Sequence, residues 1–312
     1  MKLILPLTVS AAAVSANVGL LVPLYEYPTG DAAVADWTAL TQAIEAHPDL
    51  EFYVIINDNN GAPYSTNPPD TIKDWASWLG TLNARSNVKT VGYVYTSESS
   101  RDYATVTQGV DQYAAWTTNP GWSGGATNYD VHIDGIFFDE IDTNPAKLDY
   151  NTNITKYAKA AFQSEGPIVL NPGVSVQAGS ESLYDVADAI LAIETCYTTV
   201  QGATDAGSST YRCPSGGYTP FTPASLSALP DNQTRVARSS VVVHDFYDAW
   251  NPYDAAPLST LEADVSAIVQ KQVHSFYIAQ YGYLGNFTSA PASVMTVANL
   301  AAQDQGLTRR RS

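Results

Sequence analysis

The stretch Ile133–Asp142 reads IDGIFFDEID. Ile133, Ile136, Phe137 and Phe138 form a short apolar run rich in β-branched and aromatic residues, the pattern of a buried strand. The run stops on Asp139 and Glu140, two carboxylates where the strand should emerge at its C-terminal end. In an α/β barrel that end is the reactive face. Two adjacent acids are costly to bury unless solvated or partnered, so chemistry is a natural role for them. The plainer alternative is an N-cap, because Asp-Glu after a strand often only starts the next helix. The rest of the chain decides between the two.

Outward from this stretch the chain alternates strand and helix. Before it come strand one at Val18–Tyr25, a helix at Ala33–Ala46 closed by His47-Pro48, and strand two at Glu51–Asn57. A helix at Asp70–Ala84, strand three at Val88–Tyr95, a helix at Tyr103–Thr117 and a Gly-rich loop then lead to strand four at Ile133–Asp139. After it come a helix at Asn151–Ser164, strand five at Pro167–Asn171, a short helix at Glu181–Val186 and strand six at Ala189–Glu194. An irregular insertion at Thr195–Asp231 precedes strand seven at Ser239–His244, a helix at Ser259–Gln272, strand eight at Ser275–Gln280 and a last helix at Pro291–Ala302. Most strands are too continuously apolar to be exposed on one face, which argues a parallel sheet with helices outside. The expected fold class is α/β, a single (β/α)8 TIM-type barrel over 17–303, with a loop insertion at about 195–231 and a tail at 304–312. An open doubly wound sheet is the runner-up, but no G-x-G-x-x-G follows strand one, so dinucleotide binding is unsupported.

The 312 residues fit one barrel, and a hydrophobic content of 45% supplies its core. A net charge of −16 argues against nucleic acid, whose phosphates require basic patches. The opening MKLILPLTVSAAAVSA has one Lys, an apolar run and small residues at its end, which predicts a secretory signal peptide over 1–16. That run is too short for a membrane span, and no later stretch is long enough. The chain is therefore expected to be secreted and extracellular. Its two cysteines, Cys196 and Cys213, are expected to form one disulfide, with a metal site the weaker alternative because no His-rich spacing accompanies them. Sequons at Asn153, Asn232 and Asn286 are candidate glycosylation sites.

The predicted strand ends form one surface: Tyr25 and Glu26, Asn57 and Asp58, Tyr95, Asp139 and Glu140, Asn171, Glu194, His244, and Tyr281 after strand eight. Nearly all are polar or aromatic, and a barrel converges them on one mouth. Hydrolysis of a glycosidic bond needs two carboxyl groups flanking it, one to protonate the leaving oxygen and one to attack or to activate water. Asp139 and Glu194 end strands two apart, roughly 10 Å at the backbone. Inward side chains close that to the roughly 5–9 Å the chemistry uses. Asp139 is assigned as nucleophile or base and Glu194 as acid, with Glu140 setting protonation states or holding the sugar. Which of Asp139 and Glu140 acts directly is open at this point, as is retention or inversion. Tyr25, Asn57, Asp58, Tyr95, Asn171, His244 and Tyr281 are candidate substrate contacts. The Asn57–Gly61 run also suits a plain turn, and the tyrosines also suit the top of a core. Of the other three histidines, His47, His132 and His274 lie near helix ends or strand starts, so metal catalysis is not favoured, and no metal or cofactor is expected.

The blocks GLLVPLYEYP, FYVIINDNNGAP, VGYVYT, IDGIFFDE and AIETCY, in this order, resemble the spherulin-4-like family. The resemblance spans nearly the whole chain after residue 16, and the family is similar to a group of secreted fungal glycoside hydrolases. It implies a (β/α)8 barrel and endo-hydrolysis of galactosaminogalactan at α-1,4-linked N-acetylgalactosamine. It also implies functional acids at Asp139, Glu140 and Glu194, and a groove lined by tyrosines and asparagines. The expected partner is a hexosamine-containing polysaccharide, acted on by a monomer. The competing readings are a non-catalytic carbohydrate-binding or coat protein on the same barrel, and a barrel hydrolase using one acid and a metal.

Overall fold

The structure, a computed structural model, describes residues 17–57, 72–116, 129–163, 166–197, 219–248, 255–280 and 287–307. Eight parallel strands close into a barrel in sequence order: β1 (Gly19–Leu24), β2 (Phe52–Ile56), β3 (Val88–Tyr95), β4 (Gly135–Asp139), β5 (Ile168–Leu170), β6 (Ala189–Cys196), β7 (Ser239–His244) and β8 (Ser275–Ile278). β1 closes the ring by pairing with β8 through Gly19↔Ser275 and Leu20↔Phe276. A closed ring has no edge, so every strand is covered on both faces and reads as apolar throughout. β1, GLLVPL, is buried at all six positions.

The helices lie outside: α1 (Asp31–Ala46), α2 (Ile72–Asn83), α3 (Tyr103–Ala115), α4 (Leu148–Ala161), α5 (Leu183–Val186), α6 (Gln233–Val236), α7 (Leu258–Lys271) and α8 (Val294–Asp304). Each long helix turns a stripe at three- and four-residue spacing onto the strands, such as Trp37, Leu40 and Ile44 on α1 and Leu261, Val265 and Ile268 on α7. Where two stripes meet, Trp37 and Trp75 pack edge to face at 5.4 Å. Asp102 caps α3 by accepting from the Thr105 amide, and Ser293 caps α8 by accepting from the Thr296 amide.

Several boundaries differ from those predicted, each for a local reason. β4 begins at Gly135: the Asp134 amide still donates to the Thr90 carbonyl at 2.9 Å, but the Thr90 amide is taken by the Asp134 carboxylate at 2.8 Å and not by a backbone carbonyl of the neighbouring strand. Gly135 sits where a Cβ would stand 2.0 Å from the Pro167 carbonyl oxygen, so only glycine lets β4 start beside this segment. β6 runs on to Cys196 because Thr195 and Cys196 still pair with Val243 and His244, which moves the start of the insertion. The insertion returns alongside β6, with the Phe221 amide donating to the Cys196 carbonyl, and forms a 3-10 turn at Pro223–Ala228. It is followed by α6, which the sequence pattern did not predict. The chain is also ordered past α8. Gln305 accepts from the Val18 amide at 2.6 Å and donates to the Val18 carbonyl at 3.0 Å, joining the residue before β1 to the one after α8.

Candidate active site

Strand register decides which residues enter the mouth. Tyr93 is level with Phe137, and Tyr95 with Asp139. The Tyr93 and Phe137 rings stack at 6.1 Å, and Tyr25 packs edge-on to Tyr93 at 5.6 Å. Period-two alternation therefore turns Tyr93, Tyr95, Phe137 and Asp139 to the barrel interior. Val169 of β5, level with Phe137, carries the same face to Asn171, the residue just past the strand. On β6 regular alternation from Leu191 would send Glu194 outward. A bulge between Leu191 and Ile193 resets the count, so that Glu194 is level with Val242 and shares its inward face. One inserted residue thus aims the acid at the mouth.

The two predicted acids meet over one amide. Asn171 Nδ2 donates to Asp139 Oδ1 at 2.7 Å and to Glu194 Oε2 at 2.9 Å. Asn171 Oδ1 accepts from the Gly173 amide at 2.8 Å, which fixes the side chain with its nitrogen toward the acids. The Asn171 backbone is held as well, its amide donating to the Phe138 carbonyl and its carbonyl accepting from Ile141. Asn171 is 5% exposed, and its amide group is committed to the protein. The Tyr93 hydroxyl donates to the other Asp139 oxygen, Oδ2. Burial pushes the Asp139 carboxyl above its ordinary range, while the hydrogen bonds from Tyr93, the Glu140 amide and Asn171 pull the other way.

Glu140 follows the end of β4 in a left-handed conformation (φ 54°) and is exposed. Burial of its carboxyl and the charges of Asp139 and Glu98 raise its pKa, against a hydrogen bond with Tyr95. The backbone here is held by Thr96, whose hydroxyl donates to the Asp139 and Glu140 carbonyls, both at 2.8 Å. Thr96 opens a turn in which Ser97, Glu98 and Ser99 all have positive φ, and the Ser99 side chain is tied to Asn151 at 2.7 Å.

The other predicted residues differ in where they stand. Tyr25, Asn57 and Tyr95 stand half-buried at the mouth. His244 is 2% exposed at the end of β7, with Nδ1 2.7 Å from Asp245 Oδ2. Asp58, Tyr281, Cys213 and Asn286 lie outside the described residues. Cys196 is fully buried at the end of β6. Asn153 and Asn232 are exposed, and Asn232 also caps α6 with its side-chain oxygen. Glu26, at the end of β1, is hydrogen-bonded to Asp36 of α1, and burial with that partner raises its pKa to about 7. Tyr93 was not among the predicted contacts, although counting two back from Tyr95 along a strand points to it. Among the described residues, no group of three or more His, Cys, Asp and Glu side chains is placed to hold a metal ion, and no helix is long and apolar enough to cross a membrane.

The comparisons agree with the fold. The model of the Spherulin4 family, described as spherulation-specific family 4, matches residues 19–301. The barrel is similar to the crystal structure of Aspergillus clavatus Sph3 in complex with GalNAc, with a TM-score of 0.66 at 22% identity, covering 91% of this chain and 98% of that one. It is also similar to the PgaB (BpsB) glycoside hydrolase domain from Bordetella bronchiseptica, with a TM-score of 0.52 at 9% identity, covering 95% of this chain and 100% of that one. At these identities both likenesses speak to the fold. No curated protein matches the chain by sequence.

Proposed function

The chain belongs to spherulation-specific family 4, and on that footing we propose that it is a secreted endo-acting glycoside hydrolase cleaving α-1,4-linked N-acetylgalactosamine or galactosamine in galactosaminogalactan-type polysaccharide. The observation that carries this reading is the single Asn171 nitrogen within hydrogen-bond reach of both Asp139 and Glu194. The two bridged oxygens are no farther apart than those bonds laid end to end. That matches the carboxyl spacing of about 5–5.5 Å used for retention better than the roughly 6.5–9.5 Å used for inversion. The complex of Sph3 with GalNAc supports a hexosamine ligand.

In an α-linked 2-acetamido sugar the acetamido group lies on the same side of the ring as the leaving group. It cannot attack the anomeric carbon from behind, so the protein supplies the nucleophile. Asp139, oriented by Tyr93 and Asn171, attacks the anomeric carbon as the bond to the leaving oxygen breaks, and Glu194 gives that oxygen its proton. Water then cleaves the Asp139–sugar ester, its proton returning to Glu194. Glu140, exposed beside the pair, contacts the sugar. Residues 1–16 direct secretion, Cys196 pairs with Cys213, and Asn153, Asn232 and Asn286 are the glycan acceptors. The net charge of −16 favours a partly deacetylated, cationic polymer by long-range attraction, a preference that added salt weakens.

The test is digestion of a panel of hexosamine polymers with the products sized by mass spectrometry. An oligosaccharide ladder from the α-1,4-galactosamine polymer, absent with Asp139→Asn and Glu194→Gln, is the expected result. A ladder that survives both substitutions, or none from the unaltered protein, refutes the proposal.

A further inference from the structure

Asn171 is placed at the mouth as a predicted sugar contact, yet its polar atoms are turned to the protein. Its oxygen is held by the Gly173 amide and its nitrogen faces both acids. An amide NH2 has two hydrogens, one for each carboxyl. The turn that holds it is tied directly to Glu194, because the Glu194 amide donates to the Gly173 carbonyl at 2.9 Å.

We propose that Asn171 is a positioning residue that holds the single negative charge of the Asp139–Glu194 pair as that charge passes from one carboxyl to the other during turnover. This rests on the double-displacement reading above. Before the first step Asp139 is the carboxylate and Glu194 carries the proton. When Asp139 Oδ forms its bond to the anomeric carbon, the electron pair of the broken glycosidic bond goes to the leaving oxygen, which takes the Glu194 proton. Asp139 is then an uncharged ester and Glu194 the carboxylate. Hydrolysis reverses the assignment, water supplying one proton to Glu194 and its hydroxyl to the sugar. The pair carries one negative charge throughout, and each Asn171 N–H bond strengthens as its own partner becomes the anion. No donor has to move, because Asn171 Oδ1 is pinned from the other side.

The other groups bearing on the pair do not share this role. The Tyr93 hydroxyl, from β3, reaches Asp139. Glu140 faces Asp139 with Glu98 and Tyr95 beside it. His244, from β7, is bonded to Asp245. Among the described hydrogen bonds, only the Asn171 side chain reaches both acids.

The test uses Asn171→Asp, which keeps the shape and the acceptor for the Gly173 amide while replacing the shared donor by an acceptor, together with Asn171→Ala. Each should lower kcat/KM about 100-fold, as loss of one well-placed donor does. In Asn171→Ala both limbs of the pH profile should move alkaline by about one pH unit, because the donor favours the charged form of each acid. In Asn171→Asp the shift should be larger. KM should change little. Titration of 13C-labelled carboxyl groups by NMR should show the same shifts for Asp139 and Glu194 without any substrate. Lower activity with both limbs and both titrations unmoved overturns the proposal and leaves Asn171 a structural residue. If no polymer is cleaved even by the unaltered protein, the hydrolase reading fails separately, and the carboxyl titrations still decide whether Asn171 stabilises both anions.

Discussion

Gly173 and Glu194 constrain each other twice. The Gly173 carbonyl accepts the Glu194 amide at 2.9 Å, and a Cβ on Gly173 would stand 3.2 Å from Glu194 Oε2. Gly173 also has φ +66°, a conformation L-residues adopt at a cost. Gly173→Ala should therefore lower stability by about 1–2 kcal/mol and displace the Glu194 carboxyl, so activity should fall more than stability accounts for. Thermal melts beside kcat/KM at a temperature where the variant is fully folded separate the two effects.

Tyr93→Phe removes one hydrogen bond to Asp139 while keeping the ring between Tyr25 and Phe137. Stability should change by about 1 kcal/mol or less. The Tyr93 hydroxyl holds the Asp139 pKa down, so its loss raises that pKa, and the acid limb of the kcat/KM profile should move to higher pH. A pH–rate profile of the variant checks the direction.

Half-buried Glu26 pairs with the buried Asp36 of α1, and the Glu26 pKa rises from 4.5 to about 7. The folded chain binds this proton more tightly than the unfolded chain. The resulting stability is full below pH 4.5 and is lost as pH rises through about 7. Glu26→Gln keeps a donor toward Asp36 and should flatten the dependence, gaining stability over the unaltered protein above pH 7. Chemical denaturation across this range reads the crossing.

At the opposite end of the barrel His132 lies between Asp134 and Asp130, and chiefly the Asp134 hydrogen bond lifts its pKa from 6.5 to about 9. Here the stability is full below pH 6.5 and lost as pH rises through 9. His132→Gln should lose stability near pH 6 but little near pH 10. Its kcat at neutral pH should be unchanged, since the residue precedes β4 at the end away from the mouth. Denaturation at the two pH values and one activity assay suffice.

The eight alternating elements were legible because continuous apolar runs and helical stripes are local patterns. β3 and β7 begin and end where the sequence places them. The pairing of Asp139 with Glu194 was legible too, since both lie toward the C-terminal ends of strands in one ring, although β6 runs two residues past Glu194. What joins them was not. The β6 bulge leaves no mark in a run of apolar residues, yet it decides which way Glu194 faces. The orientation of the Asn171 amide depends on the Gly173 N–H and two acids distant in sequence, so residue type alone suggested a sugar contact. The transfer of Glu26 to Asp36 depends on helix packing that no periodicity encodes.

The spacing imposed by Asn171 is tested most directly by the anomeric form of the first product. Proton NMR, recorded during early turnover of an α-1,4-linked galactosamine oligomer and before mutarotation, should show the α-anomer appearing first and relaxing to the equilibrium mixture. A β-anomer appearing first would mean that the two carboxyls do not work at the distance the shared amide sets, and would contradict the account.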